Sequence, residues 1–142
     1  MATTTITDNA RRGWMQKDLD YTDVHKFALY NNSGHDASQG FYTATAESTG
    51  TGYVAKGNTL AGVAIAVDGT KHVAYLTWDN TEWTVSTITA TDGMIFNEDA
   101  TSPATDPSIY IGDFNGSKTT SAGTFTVQMP TAAFNTAIVR IA

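Results

Sequence analysis

The side chains of this chain that could do chemistry are few, and none falls into a reactive spacing. Three histidines are present, His25, His35 and His72. Metal ligation would require them to converge with a carboxylate, and nothing in their separation suggests it. His25 and His72 sit in strand-like alternation and read as ordinary strand histidines; His35 sits in a loop. Gly52 and Gly57 in "GTGYVAKGNT" have the G-x-x-x-x-G spacing of a phosphate-cradling loop. The lysine that would reach the phosphates is replaced by Asn58, however, and a strand pattern follows where a helix N-terminus is needed. A glycine-punctuated turn accounts for the same residues. Most of the 14 acidic residues fall in turn-like segments, at Asp36, Asp68, Asp79, Glu82, Asp92, Glu98, Asp99 and Asp106, as solvated turns do, and no calcium-loop pattern occurs. With no cysteine, disulfides and thiolate metal sites are excluded. No nucleophile elbow or zinc-protease motif is present. No catalytic, cofactor-binding or metal residue is therefore assigned. Trp78 and Trp83 flank a short turn and would form a sugar-stacking platform if exposed, or a cross-strand core pair that pins register if buried. "NNS" at Asn31 and "NGS" at Asn115 match the glycosylation pattern, which has meaning only with a secretory signal.

The elements that must position these residues are mostly strands. Thr7 or Asp8 is placed to cap "NARRGWMQKDL", a helix of one or two turns with Gly13 at its centre. Residues 1–7 are small and polar and read as a flexible arm, disordered or ordered only on a partner. From Asp23 onward the pattern has period two. Val24–Tyr30 reads as a strand, and Asn31–Gly40 as a surface loop. In "LAGVAIAVDGT" Val63, Ile65 and Val67 share one face opposite alanines before a turn at Asp68-Gly69. "KHVAYLTW" follows, and "DNTE" reads as a hairpin turn into "WTVSTITA". "GMIFN" is a strand, and Glu98–Ser108, with two of the three prolines, an exposed loop. "IYIGDF" runs into Asn115–Gly123, a long turn or bulged connection. "TFTVQM" sets Phe125, Val127 and Met129 on one face. In the terminal "TAIVRI", Ile138 and Arg140 share a face, with Val139 and Ile141 on the other, and the strand is expected to be paired inside a sheet.

About eight short strands imply a mainly β fold, an antiparallel β-sandwich of jelly-roll or immunoglobulin-like type with a short N-terminal helix or arm. Residues 1–22 form the arm and helix, residues 23–142 the sandwich domain. Threonine fills 25 positions and charged residues only 15 % of the chain, so the surface is clothed largely in hydroxyls. The formal charge of −6, with eight dispersed Lys and Arg, gives no basic stripe for nucleic acid. No apolar run is long enough to span a membrane, and the first residues lack a secretory signal, so synthesis in the cytoplasm is expected.

The run from "KFALYNN" through "ESTGTGYVAKGNTLAGVAIAVDGTKHVAYLTWDNTEWTVSTITATDGMIFNED" to "IYIGDFNGSKTTSAGTFTVQMPTAAFNTAIVRIA" resembles a group of small β-rich virion proteins of tailed bacteriophages. The likeness lies in the order of parts: an "ALY" strand, a "GTGY" turn, "STITA", an "IY" strand, a "GTFT" segment and a final "RIA". It spans roughly residues 26–142. "MATTTITDNARRGW" has no counterpart, and the group's glycine pairs are altered in "GYVAKGNT" and "DFNGSK". The resemblance implies a non-enzymatic head decoration (cement) protein on the capsid surface, made in the host cytoplasm. Its partners would be the major capsid protein and itself, as a trimer or other small homo-oligomer, without cofactors. Candidate partner contacts are Arg11, Arg12, Trp14, Trp78 and Trp83. The alternative is a tail or neck module that binds glycans or connects tail parts, with Tyr53 beside Trp78 and Trp83.

Overall fold

The computed structural model describes residues 2–17 and 19–141, with the backbone alone for Arg11, Arg12, Met15 and Gln16. The fold is mainly β, an antiparallel sandwich with one small helix. Strand β1 (Thr5–Ile6) precedes helix α1 (Asp8–Gln16). Nine strands follow: β2 (His25–Tyr30), β3 (Asn58–Thr59), β4 (Ala64–Asp68), β5 (Val73–Thr77), β6 (Thr81–Ser86), β7 (Thr89–Asn97), β8 (Ser108–Thr119), β9 (Gly123–Val127) and β10 (Val139–Ile141). They form a five-stranded sheet in the order β1-β8-β7-β2-β3, a three-stranded sheet β10-β5-β4, and the pair β6-β9.

Two apolar clusters explain why β2 and β7 do not alternate between dry and wet. One face of the large sheet contributes Phe27, Leu29, Ile95 and Ile109 to a core shared with Leu76, Trp83, Phe125 and Val139 of the smaller sheets and with Trp78 of the β5–β6 connection. The other face carries Ala28, Tyr30, Met94, Phe96 and Ile111, covered by Ala2 and Tyr42. Buried on both faces, these strands read as near-continuous apolar runs. Gly93 lies at the centre of β7 because the Phe27 ring occupies the place of its Cβ, which would stand 2.3 Å from the ring. Gly57 is required more strictly: its φ is +69°, and a Cβ would come 1.9 Å from the Phe27 carbonyl oxygen, where the chain presses against β2.

Several expectations change. The N-terminal arm is not free: β1 pairs with β8, Thr5 opposite Ile111, and the Thr3 amide donates to the His35 carbonyl at 2.9 Å. The helix runs nine residues, capped by the Thr7 hydroxyl, which accepts from the Ala10 amide and donates to the Ser108 carbonyl. Gly13 is tolerated there because Leu19 packs where a Cβ would stand. The "DNTE" turn does not close a hairpin: β5 pairs with β4 and β10, whereas β6 crosses to β9, with Trp83 opposite Phe125. The same break splits "WTVSTITA" between β6 and β7. His72 lies in the turn before β5, at φ +58°, not in a strand. Asp92 is not a turn residue but is buried in β7. The last strand is paired, at the edge of its sheet and not inside it. Asn115–Thr119 continues β8 through a bulge, where Ala90 faces Lys118 but Asp92 faces Asp113.

Candidate interaction surface

Two polar clusters are built around buried or half-buried carboxylates. Glu47 accepts from the Tyr42 hydroxyl at 2.5 Å, the Tyr53 hydroxyl at 2.7 Å and the Lys56 amide at 2.6 Å. Burial, then the hydrogen bond to Glu47, pushes both phenols well above the ordinary tyrosine range. The Lys56 ammonium donates to Asp106 at 2.7 Å, which raises its pKa, and it lies 5.4 Å from the Tyr42 ring centroid. Glu47 therefore cross-links the 42–57 loop internally, and the Tyr53 hydroxyl, which also accepts from the Leu29 amide, ties that loop to β2. In the second cluster Asp92 accepts from the Ser33 hydroxyl and, at 2.6 Å, from the Thr91 hydroxyl. The His35 ring packs edge-on to Tyr30 at 4.6 Å, with a buried Nδ1 that has no hydrogen-bond partner among the described residues. Burial holds His35 and His25 below the ordinary histidine pKa. Ser33 gives its proton to Asp92, not to His35, which is the wrong arrangement for an activated nucleophile. Among the described residues no three His, Asp or Glu side chains converge on a metal position, and no helix is long and apolar enough to cross a membrane.

The surface offers something different at the small sheet. Cross-strand register places Ile65, Leu76 and Val139 in one row and Val67, Ala74 and Ile141 in the next, all on one face. Leu76 and Val139 are buried, but Ile65 is 52 %, Val67 66 % and Ile141 62 % exposed. Trp14 and Leu19, carried by α1 and the turn after it, line an apolar groove of about 380 Å³ together with Tyr21 and this row of side chains. A single exposed aliphatic residue needs no explanation, but a contiguous face of them marks a contact site. A larger, wetter hollow of about 600 Å³ lies beside the bulge, where Phe114 meets Thr119, Thr120, Thr124 and Thr126.

The sequence-derived contact residues divide accordingly. Trp14 is half-buried on the groove wall. Trp78 and Trp83 are core residues, 4 % and 3 % exposed, and so present no stacking platform. They do not stack on each other to pin a hairpin: Trp78 meets His25 at 5.4 Å, while Trp83 lies between Tyr53 and Phe125. Tyr53 is committed to Glu47 and to the Leu29 amide, from which its hydroxyl accepts. The side chains of Arg11 and Arg12 lie outside the described residues. Sequence reasoning missed Tyr21, Ile65 and Ile141 as surface residues and Leu19 as the buried wall beside them. The available signal was the "AIAV" alternation, which marks a face without saying whether anything covers it. The chain matches no known protein family, no curated protein and no solved structure.

Proposed function

We propose that this protein is a non-enzymatic structural component of a phage virion, a decoration (cement) protein that stabilises the capsid surface by binding the major capsid protein. The resemblance in the order of sequence parts supports the virion assignment. The observation that carries the contact role is the apolar groove beside Trp14, where Ile65 and Ile141 stand exposed together, in a chain rich in threonine and poor in charge. Its occupant is an apolar segment of a neighbouring capsid subunit, which would bury Ile65 and Ile141. A stiff sandwich suits this work, because each small contact is repeated over the whole shell and the contributions sum. Quantitative mass spectrometry of purified particles tests the reading. A fixed ratio to the major capsid protein supports it, and a handful of copies per particle overturns it.

A second reading, a tail or neck adhesion module, draws on the hollow at Phe114, whose aromatic wall and threonine hydroxyls suit a sugar ring. Glycan-array binding that Phe114→Ala abolishes in a folded protein would favour it over decoration.

A further inference from the structure

The edge of β4 carries an inference independent of the virion reading. β4 hydrogen-bonds to β5 on one side, and no described strand pairs with its other side. It is five residues long, both faces are exposed over Ala64–Val67, and it has neither a proline nor a lysine to discourage pairing. We propose that β4 pairs antiparallel with β4 of a second copy of this chain, across a two-fold axis at Ala66.

The sequence of the strand is self-complementary about that residue. Antiparallel pairing centred on Ala66 sets Ile65 opposite Val67 of the other copy, twice, and Ala64 opposite Asp68. Branched aliphatic residues therefore face one another on one side, and no like charges meet on the other. The register inside each sheet then yields an unbroken aliphatic row: Ile141, Ala74 and Val67 of one copy, followed by Ile65, Leu76 and Val139 of the next. Charge fits as well. The Asp79 carboxylate lies against Gly62, where a Cβ would come within 2.4 Å of its carboxylate oxygens. The same pairing brings the turn of the other copy, which carries both Asp68 and Lys71, alongside Gly62 and Asp79; Lys71, whose ammonium lies 5.9 Å from the Phe134 ring of its own chain, is the cation on hand there, and the two-fold axis repeats this contact. A two-fold interface that uses one patch twice is the commonest closed assembly of identical chains.

Sedimentation equilibrium and cysteine cross-linking test the proposal on the full chain, which has no cysteine of its own. The wild-type protein is expected at twice its 15.1 kDa chain mass. Residues facing each other across an antiparallel pair have Cα atoms about 4.5–5.5 Å apart, within disulfide range. Oxidised Ala66→Cys should therefore link quantitatively to itself, and Ala64→Cys, which faces Asp68, should not. Ile65→Lys/Val67→Lys places lysine against lysine and should sediment as a monomer; Ile65→Lys/Val67→Glu places lysine against glutamate and should restore the dimer. Circular dichroism establishes that each variant is folded, and if Ala66→Cys is not, the lysine and glutamate pair decides. A wild-type monomer at about 100 µM, equal cross-linking at positions 64 and 66, or a charge-paired variant no more dimeric than the lysine variant overturns the proposal.

Discussion

Replacing Glu47 with Gln keeps the shape of the side chain and removes its charge. The carboxylate accepts three hydrogen bonds, from Tyr42, Tyr53 and the Lys56 amide. Hydrogen bonds to a charged group contribute about 1.5–3 kcal/mol each, against about 1 kcal/mol for neutral ones. In the variant one amide N–H₂ must also face a phenol that was donating. The three losses share one group and will not add fully, so a net cost of about 2–4 kcal/mol is expected. For a domain of this size that is a fall in Tm of about 6–12 °C. Differential scanning calorimetry at pH 7 measures it, with Glu82→Gln as a control, since Glu82 is exposed on β6. Hydrogen exchange gives a second readout: the Lys56 amide, whose acceptor loses its negative charge, should exchange faster in the variant. A Tm indistinguishable from that of the control would refute the view that this cluster holds the 42–57 loop to the sheet.

Trp83→Ala should cost about 3–5 kcal/mol, because the indole packs between Tyr53 at 5.9 Å and Phe125 at 6.1 Å; an unfolding free energy from urea titration within about 1 kcal/mol of wild type would put Trp83 at the surface. Acid should destabilise the fold through His25 and His35. Burial lowers both pKa values in the native state, so the unfolded chain binds more protons, and stability is full above the ordinary value of about 6.5 and lost as pH falls below it. Each histidine contributes a slope of at most about 1.4 kcal/mol per pH unit, which urea titrations between pH 7.5 and 5 would resolve. Equal stability across that range, or a slope unchanged in His35→Gln, would contradict the assignment.

Local features of this fold were readable and long-range ones were not. Strand β2, the turn after Asp68, the Thr7 cap and the bulge in β8 each follow from neighbours in sequence: a short apolar run bounded by a loop, an Asp-Gly pair, a hydroxyl before a helix, a glycine inside a strand. The crossing of β6 to β9 pairs Trp83 with Phe125, 42 positions further along the chain, and a two-tryptophan turn reads equally well as a hairpin. The pairing of the arm is hidden for a similar reason, since "TTTI" carries no sign of the β8 edge that receives it. Exposure was the least legible property of all. Trp78 and Ile65 both lie in alternating apolar segments, yet one is buried under the large sheet and the other stands open, because only the packing of layers decides which faces are covered.

The most direct test of the proposed role is co-sedimentation of the purified protein with capsids assembled from the major capsid protein encoded in the same genome. Wild type and Ile141→Asp are compared, a change at a residue exposed enough to leave the fold intact. Losing the burial of one isoleucine at the interface corresponds to roughly 1.5–3 kcal/mol, or about tenfold or more in Kd. The expected result is saturable binding of the wild type in a fixed ratio to capsid subunits, weakened by that factor in Ile141→Asp. Wild-type protein that stays in the supernatant, or a variant that binds as tightly, would contradict it.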